Sequence, residues 1–417
     1  MTTEDLARDF SLYDPEIVRD PHRVYDELRA KCPVSHSDRD EGFWMATRYD
    51  DVVAATKDPA TYSSRYIMIP RLKFGPDFVE RPPITLDPPR HTYFRRLLQP
   101  LFTHVQAQKW EPAIRKVCRD ALAPLLAEGR CNVVTGYAKK IPLGFTCELM
   151  GVPTDMEPQF TTWCHDIVES TEMEGVLGAV GAIVTFLSEQ VEIRRTNPTD
   201  DIITLMMNSE VDGDRLEGQD LIAVLMLVLI AGLDTTWNAL SSAMLHLAAN
   251  PEDRRRLVAD PTLIPTAVEE LLRFYAPVVL TRETTREVEL GGTIIPAGEL
   301  VLLNWAAANR DPEVFPDADK VVLDRAENRH IAFGTGIHRC LGSSIARLEL
   351  RIAIEEWLKV IPEFELEDPG SVTYSTGHIW GPRIVDVVFP AVVSPEAGVS
   401  SEAGVSSEAG VSSEAGS

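Results

Sequence analysis

The stretch FGTGIHRCLG, residues 333–342, places one cysteine among glycines directly before a long helical pattern. A lone cysteine is usually a small buried hydrophobe. Here the glycines permit tight turns and close backbone approach, and free N–H groups at the start of the following helix stabilise a thiolate. His338 and Arg339 add hydrogen-bond donors or positive charge beside Cys340. The pattern therefore favours a thiolate that serves as a soft ligand for iron.

The same stretch resembles the haem-binding signature of the cytochrome P450 family, F-x-x-G-x-x-x-C-x-G. Phe333, Gly336, Cys340 and Gly342 occupy the positions of that signature. The resemblance implies the cytochrome P450 fold, mainly α with small β-sheets, in a single large domain with a long central helix. It also implies haem b (iron protoporphyrin IX) with the Cys340 thiolate as axial ligand. The match covers roughly residues 10–390 and is closest to soluble bacterial members that hydroxylate camphor and cineole.

A second motif, E-x-x-R, lies in the helical pattern that ends before Pro277. Glu270 and Arg273 are three residues apart, so their charges share one helix face. By itself such a pair is ordinarily a solvated surface pair, and Glu269 has a similar spacing from Arg273. The family pattern selects Glu270 and adds Arg325, and the resemblance implies a structural triad that holds the core around the cysteine loop.

The sequence AGLDTT, residues 231–236, interrupts the longest apolar helical pattern. Glycine, aspartate and threonine are unfavourable in a buried helix interior, so a packing notch with threonine bonded back to the preceding turn is one interpretation. Such back-bonding also opens a helix and admits water. The resemblance implies that Asp234 and Thr235 deliver protons to iron-bound dioxygen, a task to which an acid and an alcohol are suited.

Four cationic side chains match the family's ligands for the haem carboxylates: His91, Arg95, Arg282 and His338. Arginine binds a carboxylate in a bidentate geometry. Each residue alone is more often a surface charge, but the four occur in the family's order along the chain. The resemblance therefore implies that they hold the carboxylates.

The family placement also implies a substrate pocket lined only by apolar side chains, which suits a small hydrophobic substrate held by shape. Each lining residue is as readily a core residue. We expect a terpenoid-like substrate, with a small aromatic compound (hydroxylation or O-demethylation) or a larger steroid or macrolide as alternatives. The expected pocket residues are Val79, Ile84, Leu227, Ile230, Ala231, Val278, Val279 and Ile379.

Composition excludes several other functions. The 417 residues carry a formal charge of −24, which argues against nucleic acid or an anionic membrane as the main partner. The longest apolar run, Leu221–Leu233, is shorter than the roughly 20 residues of a membrane span, and the first residues contain no signal-peptide pattern. We therefore expect a cytoplasmic protein, monomeric by family analogy.

The six cysteines are Cys32, Cys118, Cys131, Cys147, Cys164 and Cys340. They form no C-x-x-C pair, which disfavours a zinc ribbon and the covalent attachment of haem through a C-x-x-C-H motif.

The chain contains neither G-x-G-x-x-G after a strand nor a phosphate-binding P-loop, so a built-in nucleotide or flavin domain is not expected. Two electrons must then come from outside, and the family suggests a ferredoxin with an NAD(P)H-dependent ferredoxin reductase. Arg95, Arg96 and Arg339 are candidates for the docking face. Two rival interpretations are a haem protein that binds a gas or carries electrons, and a helical protein without haem.

Periodicity predicts helices over 107–128, 140–150, 155–170, 173–196 and from Glu217 to about Asn250. It also predicts three strands within 286–305 and a final hairpin over 372–389. Residues 1–390 are expected to form the domain. Residues 391–417, dominated by SEAGVS repeats, are too poor in large apolar side chains to fold and are expected to be disordered.

Overall fold

The computed structural model describes residues 3–71, 80–168 and 173–391, and helix dominates there, with small β-sheets, as predicted. The α-helices are α1 (Thr3–Arg8), α2 (Pro15–Arg19), α3 (Pro21–Lys31), α4 (Tyr49–Lys57), α5 (Arg90–Leu98), α6 (His104–Gln108), α7 (Glu111–Leu122), α8 (Lys140–Met150), α9 (Glu157–Val168), α10 (Met173–Thr196), α11 (Ile202–Met207), α12 (Gly218–Ala249), α13 (Pro251–Ala259), α14 (Ile264–Phe274), α15 (Trp305–Ala308) and α16 (Ser343–Val360). The strands are β1 (Val34–Ser37), β2 (Phe43–Ala46), β3 (Tyr62–Ser63), β4 (Arg130–Asn132), β5 (Glu210–Val211), β6 (Asp214–Arg215), β7 (Leu280–Thr284), β8 (Val288–Leu290), β9 (Thr293–Ile295), β10 (Leu300–Leu303), β11 (Glu365–Leu366), β12 (Thr373–Tyr374), β13 (Pro382–Ile384) and β14 (Asp386–Val388).

The central element is α12, whose 32 residues extend about 48 Å. Its sequence is apolar on nearly every side, so it is stable only when other elements surround it. It packs against α8, α10 and α16. Among the described residues, α12 and Glu174–Thr196 of α10 are long and apolar enough to cross a membrane, but more than half of the most apolar window of α12 is buried inside the fold.

The largest sheet has the strand order β1-β2-β10-β7-β3. Strands β2 and β10 are parallel, and the other neighbours are antiparallel. The sheet therefore joins strands from residues 34–63 to strands from residues 280–303. The hairpin of β8 and β9, followed by β10, confirms the three strands predicted within 286–305.

Two predicted elements differ from the structure. The helix expected over 107–128 is two helices, because α7 has Pro112 in its first turn, and proline lacks the N–H that would continue α6; α7 then ends at Leu122, before Pro124. The final hairpin is formed by β12 and β13 alone. Strand β14 instead pairs with β4 and β11 in a separate sheet.

A continuous cluster of buried apolar side chains includes residues from Ala7 to Phe389. A smaller cluster lies against the five-stranded sheet and contains Val301, Trp305 and Ile331. Ile331 of this smaller cluster lies two residues before the loop that carries Cys340. The expected division into a domain of residues 1–390 and a disordered tail stays a prediction, since residues 392–417 lie outside the described residues.

Candidate active site

The loop before α16 is folded tightly around its glycines. The amide of Cys340 donates to the carbonyl of Phe333 at 2.8 Å, and residues 336–338 form a single 3₁₀ turn. All six cysteines are described, none forms a disulfide, and Cys340 alone is exposed. Desolvation within the loop raises the pKa of its thiol, whereas the amide of Gly342 and the guanidinium of Arg95 act in the opposite direction. The loop thus presents an accessible thiol beside groups that stabilise its thiolate.

Gly336 is the tightest point of this loop. It has φ +67°, and a Cβ there would lie 2.6 Å from the carbonyl oxygen of Thr56, in the last turn of α4. The glycine therefore lets the loop lie directly on α4.

Gly336→Ala should lower both stability and haem retention. The left-handed conformation costs an L-residue about 1–2 kcal/mol, and the contact with Thr56 adds to that cost. Gly213→Ala is the matched control, because Gly213 has φ +90° in open space and carries the conformational cost alone. We expect the thermal midpoint and the haem-to-protein ratio to fall further in Gly336→Ala. Equal losses in the two variants would contradict this prediction.

Behind the loop, Glu270 and Arg273 form a fully buried ion pair with two hydrogen bonds of 2.8 Å. Arg325 donates to Glu270 at 2.9 Å. Burial raises the pKa of Glu270, but hydrogen bonds from Arg273 and Arg325 outweigh burial and hold it below its usual range. Glu270, Arg273 and Arg325 are therefore brought together as the sequence predicts.

Glu269, the alternative partner by spacing, belongs to a second network. It accepts from Arg347 at 2.6 and 2.9 Å and contacts His330 at 2.9 Å. The guanidinium of Arg347 lies 4.4 Å from the ring centroid of Phe333. This network thus ties α14 and α16 to the loop residue whose carbonyl holds the amide of Cys340, a role that the sequence analysis did not find.

Acid should weaken this second network. Burial raises the pKa of Glu269, but its bonds to His330 and Arg347 lower it to about 2. Because the folded-state pKa lies below the unfolded value, this contribution to stability is complete above about pH 4.5 and is lost as the pH falls towards 2. Glu269→Gln should lower the free energy of unfolding at pH 7 and flatten its decline between pH 5 and 3 in urea titrations. Glu365→Gln, at an exposed position on β11, should keep the wild-type slope; a Glu269→Gln profile parallel to wild type would contradict the prediction.

The four residues predicted to bind the haem carboxylates also lie close together. The rings of His91 and His338 are 4.3 Å apart between centroids, and Arg282 and Arg95 both act electrostatically on His338. Arg282 is 3% exposed and donates to the carbonyl of Thr281 at 2.7 Å. Arg95 donates to the carbonyl of Arg339 at 2.8 Å, at the cysteine loop.

This cluster has the electrostatics of an anion site. Burial lowers the pKa of Arg282 to about 10; burial and Arg95 lower that of His91 to about 4; and burial and Arg282 lower that of His338 to about 2. Within the described chain, none of the four forms an ion pair with a carboxylate, and the buried ring nitrogens of His91 have no hydrogen-bond partner of ordinary geometry. Two carboxylates of a ligand would satisfy these groups. Ser64, which contacts Nε2 of His338 at 2.9 Å, is an additional member.

On α12, Asp234 and Thr235 point to different surroundings. Thr235 donates to the carbonyl of Ala231 at 2.8 Å, so the back-bonding interpretation is correct. Ala231 and Gly232 are exposed although the helix is central, and a Cβ on Gly232 would have no neighbour within 4 Å among the described residues. The middle of α12 therefore presents an open surface beside Thr235.

Asp234 is 1% exposed. Its Oδ1 accepts from Asn238 at 3.0 Å and lies 3.8 Å from Arg383, which also donates to Asn238 at 3.0 Å. Neither partner was predicted from the sequence: the i, i+4 spacing points to Asn238, but nothing local points to Arg383 on β13.

The predicted pocket residues differ in exposure. Val79 lies outside the described residues. Val278 and Ile379 pair through an isolated β-bridge, and Val279 is buried and lines a cavity beside His22 and Trp380. Ala231 is exposed, and the partly exposed predicted residues are Ile84, Leu227, Ile230, Val278 and Ile379.

A family model described as Cytochrome P450 matches residues 179–375. Vitamin D(3) 25-hydroxylase of Pseudonocardia autotrophica is 37% identical over 362 residues, which are 85% of this chain and 90% of that protein. The chain belongs to the cytochrome P450 family. Mycinamicin IV hydroxylase/epoxidase of Micromonospora griseorubida is 33% identical over 380 residues, which are 88% of this chain and 94% of that protein. The solved P450 PksS of the Bacillus subtilis 168 bacillaene synthase has a TM-score of 0.85 and 29% identity, covering 91% of this chain and 99% of its own.

As a P450, the protein is an oxidoreductase of the monooxygenase class that binds haem through a cysteine thiolate and requires dioxygen, a redox partner and a small substrate. The residues present fit that cofactor. Cys340 is an accessible thiol, and the cationic cluster matches two propionates. No group of three or more His, Cys, Asp or Glu residues suited to a metal ion exists in the described ranges; haem iron needs only one ligand from the chain here.

Proposed function

We propose that this P450 inserts one oxygen atom into a bulky, rigid hydrophobic substrate of secosteroid, steroid or macrolide size. The names of the vitamin D(3) and mycinamicin relatives support this size class, and the apolar lining supports binding by shape. A compact terpenoid is the second candidate, favoured by the aliphatic Leu227 and Ile230 beside the open middle of α12. The closer relation to the camphor and cineole branch, and oxidation of a small aromatic, stay predictions.

The electrons are proposed to come from a ferredoxin and an NAD(P)H-dependent ferredoxin reductase, and the protein to work as a cytoplasmic monomer. Arg95 and Arg339, which are joined by a hydrogen bond beside Cys340, support docking of an acidic carrier at the thiolate side of the molecule. Arg96 is held by the exposed Asp212 through two hydrogen bonds, so it contributes less positive charge there than the sequence alone suggests.

Different residues of the chain hold the haem, bind its carboxylates and shape the pocket. Haem, when bound, supplies the activation of dioxygen, and Cys340 holds its iron as a thiolate. Arg282, His91, His338 and Arg95 bind and orient the two carboxylates. The exposed stretch at Ala231 leaves room for ligands, while the apolar residues around it exclude water.

Proton supply is assigned to Thr235 and Asp234. The hydroxyl of Thr235 donates to the carbonyl of Ala231 at rest and can turn to donate into the open space. Asp234 lies next to it in the chain, with its Oδ1 held by Asn238 and within reach of Arg383. To pass a proton to Oγ1 of Thr235, the Asp234 carboxyl must turn away from Asn238 and Arg383. The presence of this acid and alcohol together is the observation that favours an oxygenase over a gas-binding or electron-carrying haem protein.

Asp234→Asn and Thr235→Ala should lower product formed per electron consumed, with a fall in product rate of about 10²-fold or more for Asp234→Asn. Thr235→Ser keeps a hydroxyl and should stay near wild type. Ser242→Ala removes a buried hydroxyl two turns further along α12 and controls for helix perturbation. Product coupling and substrate dissociation constants are the measurements. Equal coupling in Thr235→Ala and Ser242→Ala would remove the proposed role.

The substrate class is tested with a panel of vitamin D3, a steroid, a macrolide, 1,8-cineole and a methoxybenzene. Spin-state shifts measure binding, and turnover with a surrogate ferredoxin and reductase measures product. Oxygenated product from the large members alone supports the proposal. Product from cineole alone would support the second candidate, and turnover of none with a normal haem spectrum would leave both size classes without support.

A further inference from the structure

His378 lies in the turn between β12 and β13 and is 5% exposed. Both of its ring nitrogens face backbone groups from distant parts of the chain. Nδ1 is 2.9 Å from the carbonyl oxygen of Val279, and Nε2 is 2.7 Å from the amide nitrogen of Ile69. Within the described residues, His378 is the partner of both groups, so the side chain joins segments about 310 and 100 residues away from it.

The donors and acceptors fix the form of this imidazole. In the neutral ring, Nε2 accepts from the N–H of Ile69 and also lies 3.2 Å from the carbonyl oxygen of Ile69, while Nδ1 carries the proton that it donates to Val279. Burial lowers the pKa of His378, although its backbone partners and Asp40 act in the opposite direction. A buried backbone donor therefore depends on Nε2 and a buried backbone acceptor depends on Nδ1.

The segments that His378 joins are also connected through their backbones. The amide of Val279 donates to the carbonyl of His378 at 3.0 Å, and Val278 forms a β-bridge with Ile379. The amide of Thr281 donates to the carbonyl of Ile67 at 3.1 Å. The imidazole adds a second connection between the Ile69 and Val279 segments, two residues away from the backbone bond of Thr281 to Ile67.

We propose that His378 is a positioning residue that fixes the pocket wall at Val278 and Ile379 and thereby limits the size of ligand that the distal pocket admits. This inference rests on the proposed function and on the pocket lining predicted from the sequence, to which these two side chains belong. If the ring of His378 only filled space in the core, an apolar ring of the same size would serve equally well. The two bonds to backbone groups that have no other partner among the described residues distinguish His378 from such a residue, because an apolar ring of the same size would form neither bond.

The variants are chosen to separate positioning from bulk. His378→Phe keeps the ring volume and removes both bonds. His378→Gln retains an acceptor that can reach the amide of Ile69. Ser375→Ala is the matched control, since Ser375 donates to Ile379 at 2.8 Å and accepts from Gly381 at 3.0 Å within the same hairpin, without reaching Ile69 or Val279.

Two measurements are made on the haem-loaded protein: hydrogen exchange of the Ile69 amide, and dissociation constants of imidazole and of a bulky diaryl-substituted imidazole from the shift of the Soret band. In His378→Phe we expect exchange at Ile69 to accelerate about tenfold, the change expected from one lost buried hydrogen bond. The ratio of the two dissociation constants should shift about tenfold in favour of the bulky ligand, because the segments that carry Val278 and Ile379 can then move apart to admit it. His378→Gln should shift less, and Ser375→Ala should stay at wild type.

Several outcomes would overturn the inference. They are an unchanged exchange rate at Ile69, an unchanged ratio despite faster exchange, and the same shift in Ser375→Ala. If His378→Phe does not fold, the graded comparison of His378→Gln with Ser375→Ala decides the same question. Failure of the wild-type protein to bind imidazole, or to bind either ligand in this pocket, would instead count against the proposed function, whereas the exchange measurement stands independently of it.

Discussion

Cys340→Ala should abolish the strongly red-shifted Soret band of the reduced, carbon-monoxide-bound protein and reduce oxygenation to background. The thiolate donates electron density through the iron and favours cleavage of the O–O bond, and no other described cysteine is exposed. Cys340→Ser should give a spectrum without the thiolate signature, because a neutral hydroxyl is a poor substitute for a soft anionic ligand. The spectrum and the haem content are the measurements.

Cys32→Ala is the matched control for this prediction. Cys32 is only partly exposed, at the end of α3, and its loss should leave the spectrum and the activity unchanged. A red-shifted band that survives in Cys340→Ala, or a wild-type band typical of imidazole ligation, would contradict the assignment of the ligand.

Glu270→Gln should be the most destabilising single substitution that leaves the cysteine loop itself unchanged. It removes the negative charge from a site where Arg273 is fully buried and Arg325 nearly so. Loss of one partner from a buried pair leaves an uncompensated charge, so we expect a loss of about 3–5 kcal/mol in the free energy of unfolding. Urea denaturation followed by circular dichroism measures the loss, and haem retention should fall with it.

The exposed pair of Arg96 and Asp212 provides the comparison for Glu270→Gln. Both side chains are more than half exposed, and solvent screens the interaction between them. Asp212→Asn should therefore unfold with the wild-type midpoint. If Glu270→Gln loses no more stability than Asp212→Asn, the triad does not hold the core.

Much of the site was predictable because its residues follow one another closely in the chain. The cysteine loop lies within ten residues, and Asp234 and Thr235 are adjacent on a helix whose ends were predicted to within one residue. Local spacing also placed Glu270 and Arg273 on one face. It could not choose between Glu269 and Glu270, since the choice depends on which face meets Arg325 and which meets Arg347.

The parts that could not be predicted are those formed by the packing of distant segments. Arg383 reaches Asp234 across 149 positions of the chain, and Ser64 reaches His338 across 274. No periodicity carries such information, because the hairpin and the loop that supply these side chains are ordinary in composition. His378 was missed for the same reason: its two partners are backbone groups, which leave no residue-type signal.

The order of strands in the largest sheet also has a consequence for synthesis of the protein. Strand β2 lies beside β10, and roughly 250 residues must be made between them before the sheet can close. At about 5–20 residues per second, a ribosome needs on the order of 10–50 s for that interval. During this time β2 lacks its neighbour β10, and α3 and α4 lack their contacts with α15. Contacts at such long range form slowly. We therefore expect the nascent chain to expose these surfaces during synthesis and to complete its cofactor site only near the end of translation.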